Sequence, residues 1–319
     1  MTKSRKHPRA DIPHYKLENF RPLHRENASS AFGYNQLDNV KIVEGFELYS
    51  SVGLRPSLGP LKSEFFRISI TIAGTVDTQL GLEKFKHQPG TISFTFPNQI
   101  FSKSNISKDA FGYYILFNPG FLNDIIPSIR MAEEFPFFDF SGVPFFQLSK
   151  DEIHQVESFV LKINEELQHD KAGREHAIKM YLFLLLLEAK RSYERQQLHL
   201  AVAPHDNHSL IVRFRKLVSQ HYLTKRKVAD YAELLSVTPN HLNRMVKDTT
   251  HKTASETISE MLVQEAKALL RYTDASIAEI AYKLDFSDPA SFNRFFKKAT
   301  RETPLHFRTK HDPVNTMHT

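Results

Sequence analysis

One short pattern occurs twice in the C-terminal third of this chain. Residues 238–246 read TPNHLNRMV, and residues 287–296 read SDPASFNRFF. In each copy Thr or Asp precedes Pro, which starts a helix because the side-chain oxygen caps free amide groups and Pro suits the first helical position. The pattern therefore predicts two similarly built short helices at 239–249 and 289–299.

Each predicted helix has an apolar side and a polar side. The apolar residues recur at spacings of three and four, so one side of each helix packs against the protein; they are Leu242, Met245 and Val246, then Phe292, Phe295, Phe296 and Ala299. The polar residues are left to face outward: His241, Asn243, Arg244 and Lys247, then Ser291, Asn293, Arg294 and Lys297. Amide and guanidinium groups on an exposed helix face suit contacts with nucleic-acid bases.

A further helix precedes each copy. Residues 228–235 lead into the first copy through a tight turn at 236–237, and residues 276–284 lead into the second through 285–286. Helix, short turn and capped helix is the arrangement of DNA-binding helix-turn-helix motifs. The alternative is a pair of ordinary helical hairpins with solvated polar faces, and the repetition of caps and polar faces argues against it.

A long helix is predicted to join the two motifs. Thr253 and Glu256 have the spacing of a capping box, and no helix breaker follows before Thr273. A helix of about 18 residues is roughly 27 Å long, which is comparable to the ~34 Å of one DNA turn. The arrangement predicts two recognition helices that enter successive major grooves from one side of a duplex.

Two stretches of this region carry a resemblance to a known family. They are ADYAELLSVTPNHLNRMVKDTTHKTASETISE at 229–260 and IAEIAYKLDFSDPASFNRFFKKATRETPLHFR at 277–308. They resemble the AraC/XylS family of bacterial transcription regulators. The preceding residues resemble, more weakly, the cupin-like sensor and helical dimerisation region that many members carry, through PGTISFTFPNQ at 89–99 and GYYILFNPGFL at 112–122. The resemblance implies a homodimer that activates transcription through contact with RNA polymerase.

The resemblance also implies which residues contact DNA. Base edges would be contacted by Asn240, Asn243 and Arg244 in the first helix, and by Ala290, Ser291, Asn293 and Arg294 in the second. Arginine pairs with guanine and asparagine with adenine, whereas alanine only touches a thymine methyl, so the second helix is expected to contact bases less directly. Phosphate contacts are expected from Lys247, Lys297 and Lys298, with His241 on the same outward face.

The chain departs from this family at four turns. The family usually has glycine where this chain has Ser236, His251, Asp285 and Arg301. Asp and His tolerate a left-handed backbone better than Ser and Arg do. The departures predict local strain or a shifted turn.

The charge distribution favours a polyanionic partner for the C-terminal third. The 319-residue chain has a net charge of +6, and from residue 201 onward 18 Lys and Arg stand against 13 Asp and Glu. Such an excess favours nucleic acid, although a solvated surface gives it too. The absence of cysteine excludes disulfides and thiolate sites and agrees with a reducing cytoplasm. No apolar run is long enough for a membrane span, and the basic start MTKSRKHPRA precedes no apolar segment, so no secretion signal is predicted.

The first two hundred residues divide by pattern. Apolar residues alternate at 64–72, 91–96 and 112–117, which predicts strands of a small sandwich or barrel. Helical periodicity follows at 150–169 and 173–197. The predicted fold is α+β: a cupin-like β-barrel, a helical pair, and an all-α C-terminal domain with two helix-turn-helix motifs joined by a long helix. The predicted boundaries are a flexible segment 1–30, a sensor 31–148, dimerisation helices 149–200, a linker 201–209, a DNA-binding domain 210–310 and a tail 311–319.

The interior of the predicted barrel is the candidate effector site. Alternation places Phe66, Ile68, Ile70, Phe94, Phe96, Tyr113 and Ile115 inside, either as a packed core or as a pocket wall. A pocket would take a small, partly apolar effector, and its candidate contacts are Arg55, Phe66, Arg67, Ile68, Phe94, Phe96 and Tyr113. No His-x-His pair occurs at 40–120, where His87 is the one histidine, and no hydrolase, Walker or dinucleotide motif is present. No metal site, cofactor or enzyme activity is therefore predicted.

The sequence as a whole predicts a cytoplasmic regulator that binds double-stranded DNA and responds to an effector in the barrel. Two alternatives stay open. One is a regulator that needs no effector and is controlled by a partner protein docking on the N-terminal domain. The other is a cupin enzyme fused to a DNA-binding domain, against which the missing metal-binding histidines argue.

Overall fold

The computed structural model describes residues 14–25, 30–36, 42–140, 142–198 and 206–310. The described chain divides into two compact units, one of residues 15–204 and another that contains residues 206–310. None of the helices in the described ranges combines the length and the apolar character that crossing a bilayer requires.

The N-terminal unit is built on two five-stranded sheets, in the orders β1-β3-β8-β5-β6 and β10-β7-β4-β9-β2. The strands are β1 (His14–Tyr15), β2 (Phe46–Ser50), β3 (Leu58–Ser63), β4 (Phe66–Ala73), β5 (Val76–Leu80), β6 (Glu83–His87), β7 (Thr91–Thr95), β8 (Phe101–Ser104), β9 (Phe111–Phe117) and β10 (Phe145–Gln147). The three strands predicted from alternation are confirmed as β4, β7 and β9. These three are neighbours and pair antiparallel, with Ile68 opposite both Phe94 and Ile115.

An aromatic cluster covers the second sheet on one side. Phe94 of β7 stacks on Phe137 at 3.9 Å and contacts Phe138 and Phe146 at 5.3 and 5.7 Å between ring centroids. Phe137 and Phe138 come from a short 3-10 turn, Pro136–Phe138, which follows helix α2 (Met131–Glu134). Stacked and edge-on rings at these distances add to the stabilisation from burial alone.

The segment predicted to be flexible, 1–30, is partly ordered. Helix α1 (Leu17–His24) buries Leu17, Phe20 and His24, which share one side at spacings of three and four. Pro22 inside the helix makes the sequence look like a loop, and the burial of that side outweighs the helix-breaking tendency of proline. Residues 1–13 and 26–29 of the predicted segment lie outside the described residues.

The predicted helical pair is confirmed as α3 (Lys150–Gln168) and α4 (Arg174–Arg195). Ser149 and Glu152 form a capping box that starts α3. Gly173 precedes α4 with a φ of 75°, a left-handed conformation that glycine adopts at little cost. Within α3, Val156, Phe159, Val160 and Ile163 are buried in the unit.

The C-terminal unit is all-α. Its helices are α5 (Asp206–His221), α6 (Val228–Leu234), α7 (Pro239–Thr250), α8 (Ala254–Tyr272), α9 (Ile277–Lys283), α10 (Pro289–Thr300) and α11 (Pro304–Lys310). Residues 201–205 of the predicted linker and the whole predicted tail 311–319 lie outside the described residues, and α5 begins within the predicted linker. The long central helix α8 contacts α7 on one side of the repeat and α9, α10 and α11 on the other. It is the common support of both helix-turn-helix motifs.

Arg308 caps the C-terminal end of the central helix α8. Its guanidinium donates hydrogen bonds to the carbonyl oxygens of Leu270 (3.1 Å) and Ala275 (2.6 Å), at and beyond the last turn of α8. Carbonyl groups at a helix C-terminus lack partners within the helix, so a cation there satisfies them and favours the helix dipole.

Candidate functional sites

The two recognition helices, α7 and α10, start as the sequence predicts. The Thr238 hydroxyl accepts a hydrogen bond from the His241 amide at 3.2 Å, and the Asp288 carboxylate accepts one from the Ser291 amide at 2.8 Å. The Ser291 hydroxyl also donates to Asp288, at 2.7 Å. The hydroxyl and amide of Ser291, followed by the Ser287 hydroxyl, hold the pKa of Asp288 at about 2. The carboxylate therefore remains charged, and caps the helix, at any physiological pH.

The four positions where the family usually has glycine all have a left-handed backbone. The φ angles are 57° at Ser236, 56° at His251, 58° at Asp285 and 69° at Arg301. None of the four turns is shifted, so each of the four residues adopts the strained left-handed conformation.

Burial differs between the two sides of each recognition helix. Leu242, Met245 and Val246 are buried, as are Phe292 and Phe296, and Phe295 is half-buried. The prediction for Ala299 is wrong: it is exposed, because the cluster around Phe292 and Phe296 ends one turn earlier. Of the predicted DNA contacts, the exposed ones are Asn240, Arg244 and Lys247 on α7 and Ala290, Arg294, Lys297 and Lys298 on α10. The other predicted contacts are only half-buried rather than fully exposed: His241, Asn243, Ser291 and Asn293.

The two arginines occupy equivalent positions and have equivalent neighbours. An Arg244 Nη2 lies 3.4 Å from His241 Nδ1, and an Arg294 Nη2 donates to the Ser291 hydroxyl at 3.0 Å. In both helices the neighbour is the half-buried residue three positions earlier. Each guanidinium is therefore oriented along the exposed face while its remaining donors stay accessible.

The N-terminal unit contains a cavity of about 80 Å³. The predicted effector contacts divide around it: Arg67 and Tyr113 line the cavity, whereas Arg55, Phe66, Ile68, Phe94 and Phe96 do not. On β4 the cavity wall is formed by the alternating residues Arg67, Ser69, Thr71 and Ala73, together with Ile70. The predicted apolar face of β4 is thus largely the outer one.

This reversal has a physical cause. Phe66 stacks against Phe117 and meets Phe138 edge-on, with centroids 5.2 and 4.8 Å apart. Both faces of β4 are therefore buried, one against the aromatic cluster and the other around the cavity. Successive side chains of a strand alternate between faces, and alternation alone does not say which face lies inside.

Basic side chains gather at one end of the cavity. Arg67 is 4% exposed, Lys103 of β8 is 9% exposed and His24 of α1 is 1% exposed. Burial lowers the pKa of Arg67 to about 9 and brings the pKa values of Lys103 and His24 well below their ordinary values. His87, at the end of β6, shares a hydrogen bond of 3.0 Å with Thr71, and burial lowers its pKa to about 4.

Known proteins match the region of the repeat. A family model described as a helix-turn-helix domain matches residues 231–310, which include most of α6 and all of α7 to α11. The transcriptional regulator GlxA of Rhizobium meliloti is 35% identical over 79 residues, which cover 25% of this chain and 24% of that protein. The C-terminal unit carries an AraC-type helix-turn-helix domain. The resemblance found in the sequence is confirmed for this region.

Other relatives match longer parts of the chain at lower identity. The Msm operon regulatory protein of Streptococcus mutans is 26% identical over 110 residues, which cover 34% of this chain and 40% of that protein. The transcriptional activator RhaS of an Enterobacter species is 20% identical over 166 residues, covering 52% of this chain and 58% of that protein. The chain thus spans less than two thirds of each of these relatives.

Among solved structures, ToxT of Vibrio cholerae superposes over 85% of this chain and all of its own, with 13% identity and a TM-score of 0.42. The C-terminal domain of AraT, a response regulator from Geobacillus stearothermophilus, superposes over 32% of this chain and 86% of its own, with 26% identity and a TM-score of 0.31.

Within the AraC-type domain, the repeated asparagines have internal partners. Asn243 Oδ1 accepts a hydrogen bond from the amide of Ala254, the first residue of α8, at 3.0 Å. Pro304 occupies the equivalent position after α10 and has no N–H, and Asn293 instead donates to the Pro289 carbonyl at 3.0 Å. A bidentate contact with adenine uses both the oxygen and the amide group of asparagine. For Asn243 that contact requires breaking the bond to α8.

Two residues at the cavity, Lys103 and His24, are not among those predicted from the sequence. Lys103 follows Phe101 by two positions and shares its face of β8, so alternation within FSKS could have placed it beside the cavity. His24 had no such signal, because its segment was interpreted as a loop.

Proposed function

We propose that the protein is a sequence-specific DNA-binding transcription regulator. The observation that supports this most directly is the equivalence of α7 and α10: a side-chain cap followed by Pro, a left-handed residue in the turn before each helix and directly after it, one buried side each, and an arginine exposed at the same position. A single central helix supports both. Two matching recognition helices on one support suit two successive major grooves.

The exposed residues have different roles in this proposal. Arg244 and Arg294 contact base edges, with Asn240 beside Arg244 and Ala290 against a thymine methyl. His241 and Ser291 orient the arginines, and Asn243 and Asn293 act mainly within the domain. Lys247, Lys297 and Lys298 contact phosphates, which position the protein without selecting a sequence.

The rest of the proposal concerns the whole protein. The regulator works in the cytoplasm as a homodimer through α3 and α4, activates transcription by contact with RNA polymerase, and binds a small-molecule effector in the cavity of its N-terminal unit. The chain has no enzyme activity in this proposal. A partner protein docking on the N-terminal unit is the alternative source of regulation.

Selection of bound sequences from a random DNA pool by the full chain tests the proposal. The expected result is a motif with two half-elements about one helical turn apart. Enrichment of no motif, in the presence or absence of candidate effectors and also with residues 205–319 alone, would exclude sequence-specific binding.

Two substitutions then separate base contacts from phosphate contacts. Arg244→Ala is expected to cost ~1–3 kcal/mol of binding free energy on the selected site and much less on random DNA. Lys298→Ala serves as the matched control: it should weaken both alike and reduce the slope of log affinity against log salt by about one unit. Equal losses on both DNAs for Arg244→Ala would show that Arg244 contacts phosphate. Both variants are measured by fluorescence anisotropy over a range of salt concentrations.

A further inference from the structure

The cavity of the N-terminal unit has basic side chains at one end, and no acidic side chain is among the described residues that line it. Among the described residues that line it are Arg67, Lys103, His24 and His87, and none is Asp or Glu. Arg67 comes from β4 and Lys103 from β8, so the two sheets each contribute one basic side chain to the space between them.

Arg67 is the least compensated of these groups. Both of its terminal nitrogens, Nη1 and Nη2, are buried without a hydrogen-bond partner, and in the described part of the chain no carboxylate forms an ion pair with it. Its nearest compensation is aromatic: the guanidinium carbon lies 3.8 Å from the centre of the Phe101 ring and 5.2 Å from that of Phe20. Cation–π contact replaces part of the lost hydration, but five N–H donors in a fixed fork fit a carboxylate or phosphate far better.

The basic side chains near Arg67 are likewise not balanced by an acidic side chain among the described residues that line the cavity. Lys103 is buried, and its pKa is lowered first by burial and then by the charges of Arg67 and Arg25. His24 Nε2 is buried without a partner, while its Nδ1 lies 2.9 Å from the Phe20 carbonyl. Buried charges are ordinarily paired, as Arg21 is paired with Glu47 in this same unit. A buried guanidinium without a hydrogen-bond partner, beside other basic side chains that line the same space, is an arrangement that suits an anionic ligand.

The rest of the wall is apolar. Going along β4 from Arg67 to Ala73, the strand rises by roughly 20 Å, and the side chains around the far end are Ile70, Ala73, Val76, Ile106 and Phe111. An inorganic anion would leave this part unfilled, whereas a molecule with an acidic head and an apolar body would fill both parts. Tyr113, also in the wall, donates its hydroxyl to Glu157 of α3 at 2.9 Å and links the cavity to the helical pair.

We propose that the cavity binds a small organic monoanion, with its acidic group held by Arg67 and Lys103 and its apolar body against Ile70, Ile106 and Phe111. This names the chemical class of the effector and rests on the proposed function for its consequence for DNA binding. Binding to the cavity itself is measured without DNA, so the two proposals fail separately.

The test uses the full chain and three carboxylates of increasing apolar size: acetate, hexanoate and benzoate. Calorimetric titration and thermal unfolding should show binding of hexanoate or benzoate, with a rise of roughly 3–5 °C in the unfolding midpoint at ten times the Kd. Hexanamide and benzamide, which have the same shape and no charge, should bind at least tenfold more weakly. Equal binding of amides, preference for acetate or inorganic phosphate over the larger acids, or no binding by any carboxylate would overturn the proposal.

The Arg67→Met substitution distinguishes two roles of Arg67: binding a ligand, or only packing among the aromatic rings that surround it. Removing an unpaired buried charge should leave the unfolding midpoint unchanged or higher, while carboxylate affinity falls at least tenfold. Lys108→Met is the matched control, because Lys108 is exposed on the loop after β8, and it should bind like the original protein. A lower midpoint for Arg67→Met with unchanged carboxylate affinity would assign Arg67 to the cage and overturn the site. Where selection has yielded a DNA motif, a bound carboxylate that leaves affinity for that motif unchanged would overturn its role as effector.

Discussion

At the scale of single residues, the AraC-type domain has unfavourable backbone angles at four of its turns. His251 and Asp285 belong to residue types that adopt the left-handed region with some ease, whereas Ser236 and Arg301 do not. A left-handed L-residue costs roughly 1–2 kcal/mol. The turns at Ser236 and Asp285 persist because the buried Leu235 and Leu284 directly before them fix the path of the chain.

Arg301 offers the sharpest test of this cost. Arg301→Gly should raise the free energy of unfolding of the C-terminal unit by ~1 kcal/mol, since glycine adopts a φ of 69° without a steric penalty. Urea unfolding followed by far-UV circular dichroism measures it. Lys298→Gly, at an exposed right-handed position of the same helix, is the control and should lose ~1 kcal/mol. If both substitutions destabilise equally, Arg301 is not strained.

At the scale of elements, the two helix-turn-helix motifs have the same order of helices, but different contacts hold each recognition helix against the helix that follows it. The Ala254 amide at the start of α8 bonds to Asn243 of α7, so the first recognition helix is tied to the central helix. The second has Pro304 at the equivalent position, and Phe296 and Phe307 hold α10 against α11 through rings 5.7 Å apart. The first motif is fixed by a polar contact and the second by apolar packing.

Asn243 and Asn293 occupy equivalent positions in the two motifs, so substituting each in turn tests how much the polar contact of the first motif contributes. Asn243→Ala leaves the buried Ala254 without its amide partner, and we expect a loss of ~1–3 kcal/mol in the free energy of unfolding. Asn293→Ala removes only a contact within its own helix and replaces it with the best helix former, so the change should lie within about 0.5 kcal/mol of zero. The same urea experiment measures both. Similar effects of the two substitutions would show that the bond to Ala254 contributes little.

At the scale of the whole molecule, the helical pair of the N-terminal unit has an apolar surface left over. The α3 stripe is buried within the unit, but Leu161 of α3 and Met180 and Leu184 of α4 are 48%, 49% and 41% exposed. Met180 and Leu184 are four residues apart and therefore share one side of α4. This surface is where the proposed homodimer would form.

Sedimentation of the full chain tests this surface. The double substitution Met180→Glu and Leu184→Glu should convert a dimer into a monomer, because charged groups would lose their hydration in the interface. Leu234→Glu alters a residue of α6 that is 43% exposed and should leave the dimer intact. A monomeric original protein, or a double variant that stays dimeric, would place the dimer elsewhere or remove it from the proposal.

The sequence by itself determined the recognition helices, their caps and the long helix between them. These features depend on residues within a few positions of each other: Thr238 caps the amide of His241, and Leu242 and Met245 share a face because a helix repeats every 3.6 residues. The pairs α6–α7 and α9–α10 were therefore predictable, as were the strands β4, β7 and β9 and the helices α3 and α4.

Only the tertiary structure decided which face of β4 lines the cavity, and that Arg67 and Lys103 meet there. The face depends on what covers the other side of the sheet, here the rings of Phe137 and Phe138, which lie more than sixty positions along the chain from Phe66 and Ile68. The meeting of two cations from different sheets likewise depends on how the sheets face each other. Neither arrangement can be predicted from the local sequence. Alternation shows that successive side chains of a strand lie on opposite faces, but which face lines the cavity depends on how the sheets pack.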